Sequence, residues 1–316
     1  MSAESTAIDT ALHKKPRINA KKIFIENYQL YILMLPGIVA TLIFAYLPMY
    51  GVQIAFKNFR TSLGIWGSEW VGLEHFWRFV NFPGFWPMIR NTLIISLYSL
   101  SLFPLGVIVS LLINEIRNSK FKKTVQMISY APHFLSTVVV CGLVILLLGR
   151  ANGIVNNVIS YFGGDRVDFM AQPSKFAHIY VWSGVWQGIG WGTIIYLAAL
   201  SNVSPELIEA AVIDGAGRGR IIWHINIPVI LPTMIILLIL DTGKILSIGY
   251  EKILLLTNDL NYEASRVISV YVYQIGMVRG QFSYSAMVGL LNNVINLIVL
   301  LLVNTISKKV SEVGLW

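Results

Sequence analysis

Long apolar runs alternate with short polar ones along this chain, and the apolar runs share a common length. Six stretches, roughly 30–50, 92–114, 125–149, 176–200, 228–249 and 285–306, each hold about 20 mostly apolar residues, the length a helix needs to cross hydrocarbon. Lipid offers a backbone no hydrogen bonds, so a spanning segment must satisfy its own groups as a helix or within a closed barrel. Barrel strands would alternate apolar and polar positions over about 10 residues, and no such alternation runs through the sequence. The pattern predicts an all-α membrane protein with six transmembrane helices.

Composition agrees. Of 316 residues, 55% are hydrophobic and only 13% charged, against about a quarter charged in a soluble domain. The formal charge of +8 does not point to nucleic acid, because the bases sit between apolar runs instead of along one solvated face. Lys14, Lys15, Arg17, Lys21 and Lys22 precede the first span, and Arg117, Lys120, Lys122 and Lys123 crowd the short loop after the second. Arg218 and Arg220 precede the fifth span, and Lys308 and Lys309 follow the sixth. Basic loops stay on the cytoplasmic side, which places both termini in the cytoplasm. The expected organisation is an N-terminal tail over 1–29, a six-span domain over 30–306 and a C-terminal tail over 307–316. The first apolar run is too long for a signal-peptide core and reads as a retained span.

Cys141 stands alone, so no disulfide forms within the chain, and five scattered histidines give no metal-ligand spacing. The loop over 51–91 is dense in aromatics, among them Trp66, Trp70, Phe76, Trp77, Phe79, Phe85 and Trp86. It reads as an interfacial belt with a short surface helix, or as a docking surface for an external partner.

The segment from Ser204 to Arg220 carries the most information. Ser204 suits an N-cap, Pro205 the first helical position, and Glu206 the positive end of a helix. Gly215 is a natural stop. A cytoplasmic helix of about ten residues follows, with Ile208 and Val212 one turn apart and Ala211 beside them. Within it, Glu209-Ala210-Ala211, then Asp214-Gly215, then Ile225-x-Ile227-Pro228 resemble the EAA loop of ABC importer permeases, with isoleucine where that pattern has leucine. The resemblance implies a coupling helix between spans 4 and 5 that docks on a cytoplasmic ATPase. Glu209 would pair with a basic ATPase residue, Ala210 and Ala211 would seat the helix, and Gly215 would turn the chain. Tyr130-Ala-Pro-His-Phe-Leu-Ser136, Gly249-Tyr-Glu-Lys-Ile-Leu-Leu-Leu256, Gln281-Phe-Ser-Tyr-Ser285 and Ser311-Glu-Val-Gly-Leu-Trp316 look like the sugar-type permeases, specifically their polysaccharide/lipoprotein-associated branch. That branch implies a second permease as heterodimer partner, an ATPase dimer holding ATP and Mg, an extracellular sugar-binding protein, and a bacterial plasma membrane. The run Gly215-Ala-Gly217-Arg-Gly219 follows no strand, and the chain has no phosphate-binding Gly-x-x-x-x-Gly-Lys-Ser/Thr. No cofactor and no catalysis are therefore expected of this subunit.

A transport path would be lined from several spans. In the fourth, Trp182, Trp186, Trp191 and Gln187 accompany Gly184, Gly188 and Gly192, a stripe suited to close helix contact. The tryptophans either stack on sugar faces or meet lipid. In the fifth, Asp241 and Lys244 lie three apart, and ionisable residues in a span face a cavity or a partner. They either neutralise each other or line the path. Tyr250 and Glu251 stand where the resemblance places substrate contacts, and Asn292, Asn293 and Asn296 offer amides to hydroxyls or to neighbouring helices. An importer of peptides or amino acids is the nearest rival. A secondary transporter would have only the Asp241–Lys244 pair in its favour.

Overall fold

A computed structural model describes residues 27–316, so most of the predicted basic tail lies outside the described residues. Of these, residues 27–53 fall in one unit and Ile54–Trp316 in a second. Helix α1 (Tyr28–Phe56) opens the described chain, and every residue from Tyr28 to Tyr50 is exposed. A helix that is apolar on all sides has no face for water, and its surroundings must be lipid or other protein.

The second unit begins with a small hairpin in which β1 (Lys57–Asn58) pairs antiparallel with β2 (Glu69–Trp70). Then come α2 (Glu74–Val80), α3 (Phe85–Asn114), α4 (Ser119–Phe134), α5 (Thr137–Leu148), α6 (Ile154–Tyr161) and α7 (Pro173–Leu200). They are followed by α8 (Pro205–Ile213), α9 (Arg218–Thr242), α10 (Tyr250–Leu256), α11 (Ile268–Val278) and α12 (Phe282–Ser311). Among the described residues, α1, α3, α9 and α12 are long and apolar enough to cross a membrane.

One of the six expected spans is broken in three dimensions. The stretch 125–149 is not one helix, because α4 and α5 meet at 102°. The α-helical ladder ends at Tyr130, just before Pro132, which lacks an N–H and crowds the preceding turn; a tight turn runs to Phe134 and the bend falls at the extended Leu135 and Ser136. Ser136 then restarts the helix in extended conformation, its Oγ accepting the Val139 N–H at 3.3 Å. The stretch 176–200 is one 28-residue helix, α7, long enough to span. Its glycines, tryptophans and Gln187 make it less apolar than the four. Helix α9 stops at Thr242, short of the expected 249. Helix α12 runs on to Ser311 and takes Lys308 and Lys309 into its last turn, where cations oppose the helix dipole.

Helix α7 is the axis of the second unit, packing against α3, α9, α4 and α5. Val107 and Leu111 of α3 bury with Tyr196 and Leu200 of α7 and Ile230 of α9. Towards the other end, Ile95, Cys141, Phe176, Val181, Ile253 and Leu256 join α3, α5, α7 and α10. A third cluster (Phe79, Met88, Ile268, Ile275, Tyr284 and Val288) ties α2 to α3, α11 and α12. The aromatic loop is thus divided: Phe79 is core, whereas Trp66, Trp70, Trp77 and Trp86 are exposed.

The close helix contact on α7 is not the expected stripe. Gly188 and Gly192 face nothing within 4 Å, and a Cβ at Gly184 would meet only the Lys252 Nζ, at 3.3 Å. The tight point is Gly190, where a Cβ would collide with the Ser129 carbonyl oxygen of α4. Gly190→Ala is therefore expected to lower stability by about 1–3 kcal/mol, the cost of overpacking. Gly192→Ala should leave stability unchanged or slightly raised. Thermal unfolding in detergent checks this, and equal losses for both variants would contradict it.

Candidate functional site

Helix α8 is held by its ends, not by its sides. Ser204 has the extended conformation of an N-cap, but its side chain makes no capping bond. The first turn is tied instead by the Leu207 N–H donating to the Ser204 carbonyl at 3.2 Å. At the other end the Gly215 N–H donates to Val212 O (3.0 Å) and the Ala216 N–H to Ala211 O (2.8 Å). Gly215 has φ +77°. This paired return is the Schellman ending, which needs a left-handed residue just past the helix. No residue of α8 is buried, and Leu207, Val212 and Ile213 are all exposed. Glu206, Glu209, Ala210 and Asp214 also face outward, with Ala211 half-buried. A short apolar helix without a packed face in its own chain is built to be covered by something else.

Eight of the remaining eleven candidate residues fall into four cavities. Asp241 and Lys244 line one of about 260 Å³ with Ser96, Ser99, Tyr180 and Ser247. Gln187 lines a second, of about 430 Å³, with Gly184, Gly188 and Lys252, and Ser99 and Tyr180 belong to both walls. Trp182 and Trp186 line a third and largely apolar one of about 600 Å³. There Trp182 donates its indole N–H to the Tyr98 hydroxyl at 2.8 Å. Trp191 stands apart, stacked on His133 with ring centres 4.5 Å apart. Tyr250, Asn292 and Asn293 share a fourth cavity, about 740 Å³, with Ser269, Tyr273 and Ser285. In it Tyr250 stacks on Tyr273 at 4.7 Å, and buried oxygens of Asn292 and Ser269 have no hydrogen-bond partner. Glu251 is exposed.

Two of the amides are committed to backbone. Asn296 accepts the Leu246 N–H (3.0 Å) and donates to Ser247 Oγ (2.8 Å), stitching the irregular stretch after α9 to α12. Gln187 donates to the Leu135 carbonyl (3.1 Å), which the break between α4 and α5 sets free.

Sequence reasoning missed Lys252. It is 9% exposed, donates to the Tyr180 carbonyl at 3.1 Å and lies 5.0 Å from the centre of that tyrosine's ring. Burial without a carboxylate partner lowers its ammonium to about 8. The signal was present in the sequence, a lysine immediately before the apolar run Ile253–Leu256. Ser269 and Tyr273 carried no comparable mark.

These features fit a membrane component of a transporter: apolar helices around cavities that each hold a few polar groups, with one solvent-facing helix left uncovered. The chain belongs to the family of binding-protein-dependent transport system inner membrane components, which it matches over residues 102–312. It is 42% identical to the polygalacturonan/rhamnogalacturonan transport system permease protein YteP of Bacillus subtilis (strain 168), over 99% of this chain and 98% of that one. Protein LplB of the same organism is also 42% identical, over 91% of each chain. Among solved structures, the chain resembles one from a bacterial ABC transporter involved in the import of the acidic polysaccharide alginate. The TM-score there is 0.83 at 38% identity, covering 92% of this chain and 98% of the other. The same likeness holds for the bacterial alginate ABC transporter in complex with an alginate pentasaccharide-bound periplasmic protein (TM-score 0.84, 38% identity, 94% and 99% covered).

The hydrogen bonds separate the helix-stitching Asn296 from the cavity-lining Asn292 and Asn293. Asn296→Leu leaves the Leu246 N–H unpaired and should cost about 1–3 kcal/mol, whereas exposed Asn293→Leu should leave thermal unfolding unchanged. A loss of stability at Asn293 equal to that at Asn296 would contradict the division.

Proposed function

We propose that this chain is one permease subunit of a bacterial ABC importer for oligosaccharides, forming the pathway with a second, related permease. The observation that carries the reading is α8, a helix bearing Glu209-Ala210-Ala211, ended by a left-handed Gly215 and uncovered in its own chain. In this reading α8 is the coupling helix between the fourth and fifth of six spans, with both termini cytoplasmic. The bent α4–α5 pair supplies the third span and α7 the fourth. Glu209 pairs with a basic residue of a cytoplasmic ATPase, Ala210 and Ala211 let the backbone approach closely, and Glu206 and Asp214 flank the contact.

The ATPase dimer binds ATP and Mg and does the hydrolysis, and this chain is not an enzyme. A binding protein outside the plasma membrane hands over the sugar. Support for a sugar cargo comes from relatives named for polygalacturonan/rhamnogalacturonan transport and for alginate import. The cavity holding Tyr250 and Tyr273 is the best candidate for a sugar contact. Its stacked rings offer a face to C–H groups, and the exposed Asn293 amide stands beside them. Asp241 and Lys244 line the neighbouring polar cavity as part of the same path.

Coupling makes a sharp demand on two residues. Glu209→Lys reverses the charge offered to the ATPase. Gly215→Asp puts a side chain on a left-handed residue, at about 1–2 kcal/mol, and re-aims the end of α8. Each is expected to reduce uptake of a labelled oligosaccharide at least tenfold while membrane insertion stays normal. Wild-type uptake by both variants, or wild-type uptake of labelled peptides in place of sugars, would overturn the proposal.

A further inference from the structure

Lys252 is held in an environment that a structural lysine does not need. Its ammonium is buried, and no carboxylate faces it among the described residues. Its direct partners are one carbonyl and one ring face, both from Tyr180, with the buried Cys141 thiol as a further titratable neighbour. An ammonium carries three donors, and here one is used. Taking a cation out of water is costly unless a counter-charge compensates, so a lysine kept for packing alone would be better replaced by leucine or methionine.

The surroundings are shaped around this group. Gly184 of α7 leaves the space beside Nζ, where a Cβ would stand 3.3 Å away. The ammonium borders the cavity of about 430 Å³ that also holds Gln187 and Gly188. That cavity shares Ser99 and Tyr180 with the one lined by Asp241 and Lys244. Lys252 is thus a cation without a resident carboxylate at the edge of a cavity whose polar groups are few: Ser99, Tyr180 and Gln187. The missing charge fits a group that arrives and leaves. On a sugar, the group that supplies a compact anion on nearly every residue is the carboxylate of a uronate.

We propose that Lys252 meets the carboxylates of an acidic, uronate-bearing oligosaccharide as it passes through the permease, and so selects for charge along the path. This rests on the oligosaccharide-import reading above. The ammonium supplies the counter-charge and two free donors, while Tyr180 fixes its position through the third. Gln187 lies on the same wall but is tied to the Leu135 carbonyl, which leaves Lys252 as the group free to answer a passing anion there. Each carboxylate is bound and released in turn, so a single ammonium, and not a multidentate clamp, suits passage.

The test uses the whole importer complex, purified from its membrane and reconstituted in vesicles, with uptake of galacturonate trisaccharide and of its carboxyl-reduced, neutral counterpart. Lys252→Gln is expected to cut uptake of the acidic trisaccharide at least tenfold, and Lys252→Arg to retain a substantial part of it. In a Cys141→Ala background, Lys252→Cys should be equally impaired. Aminoethyl methanethiosulfonate, which restores a positive group, should recover uptake, and the sulfonatoethyl reagent should not. Undiminished acidic uptake by Lys252→Gln, or equal rescue by both reagents, would overturn the proposal. So would failure of the complex to assemble with Gln, Arg or Cys at this position, which would assign the lysine to packing. A wild-type complex that imports the neutral trisaccharide alone would sink this inference and leave the oligosaccharide reading standing. One that imports neither would sink both.

Discussion

Every backbone N–H and C=O in this protein must find a partner without help from water wherever the surroundings are hydrocarbon, and the rest of the structure follows from that constraint. It makes the chain helical and allows irregular backbone only where side chains can reach it. The breaks obey the rule. Gln187 reaches the Leu135 carbonyl freed between α4 and α5, and Asn296 takes the Leu246 N–H freed after α9. Asn156 donates to the Leu148, Gly149 and Val167 carbonyls and accepts the Val167 N–H. Asn91 donates to the carbonyls of Glu263 and Arg266, and Thr92 Oγ1 accepts the Ile268 N–H. Gln187 and Asn296, at least, are repairs to broken helices.

The same breaks create the candidate pathway. Where α9 stops at Thr242 and the chain wanders to Gly249, residues of that stretch border two cavities, the one holding Asp241 and Lys244 and the one holding Tyr250 and Asn292. A continuous fifth helix to residue 249 would have left less room for either. Helix α7 stays whole along its 28 residues and carries cavity walls on more than one face: Trp182 and Trp186 on one, Gly184, Gln187 and Gly188 on another. Chemistry collects where one straight helix passes broken ones.

Much of this could be read from sequence, and the failures have physical causes. The apolar runs announced the helices, because length and hydropathy are local properties. The α8 ending was legible because a left-handed turn asks for glycine, and Gly215 stood where a helix of that length must stop. The break near Pro132 was written in the sequence but hidden by the apolar run around it, which satisfied a span count whether the helix was straight or broken. The glycine stripe was misread because spacing gives a face, not what the face meets: Gly190, off the stripe, takes the close contact. Lys252 escaped notice for the same reason, since its burial depends on Tyr180 and Gly184, some seventy residues earlier.

The central claim is that α8 is the surface through which an ATPase drives this permease. The direct measurement is photocrosslinking from position 212, an exposed site on α8, in the assembled complex within its native membrane. The account predicts an adduct with the ATPase subunit from Val212, and none from Val158 on α6, which is also exposed but lies on an expected outside loop. Adducts with the ATPase from Val158 and none from Val212 would contradict both the orientation and the coupling role.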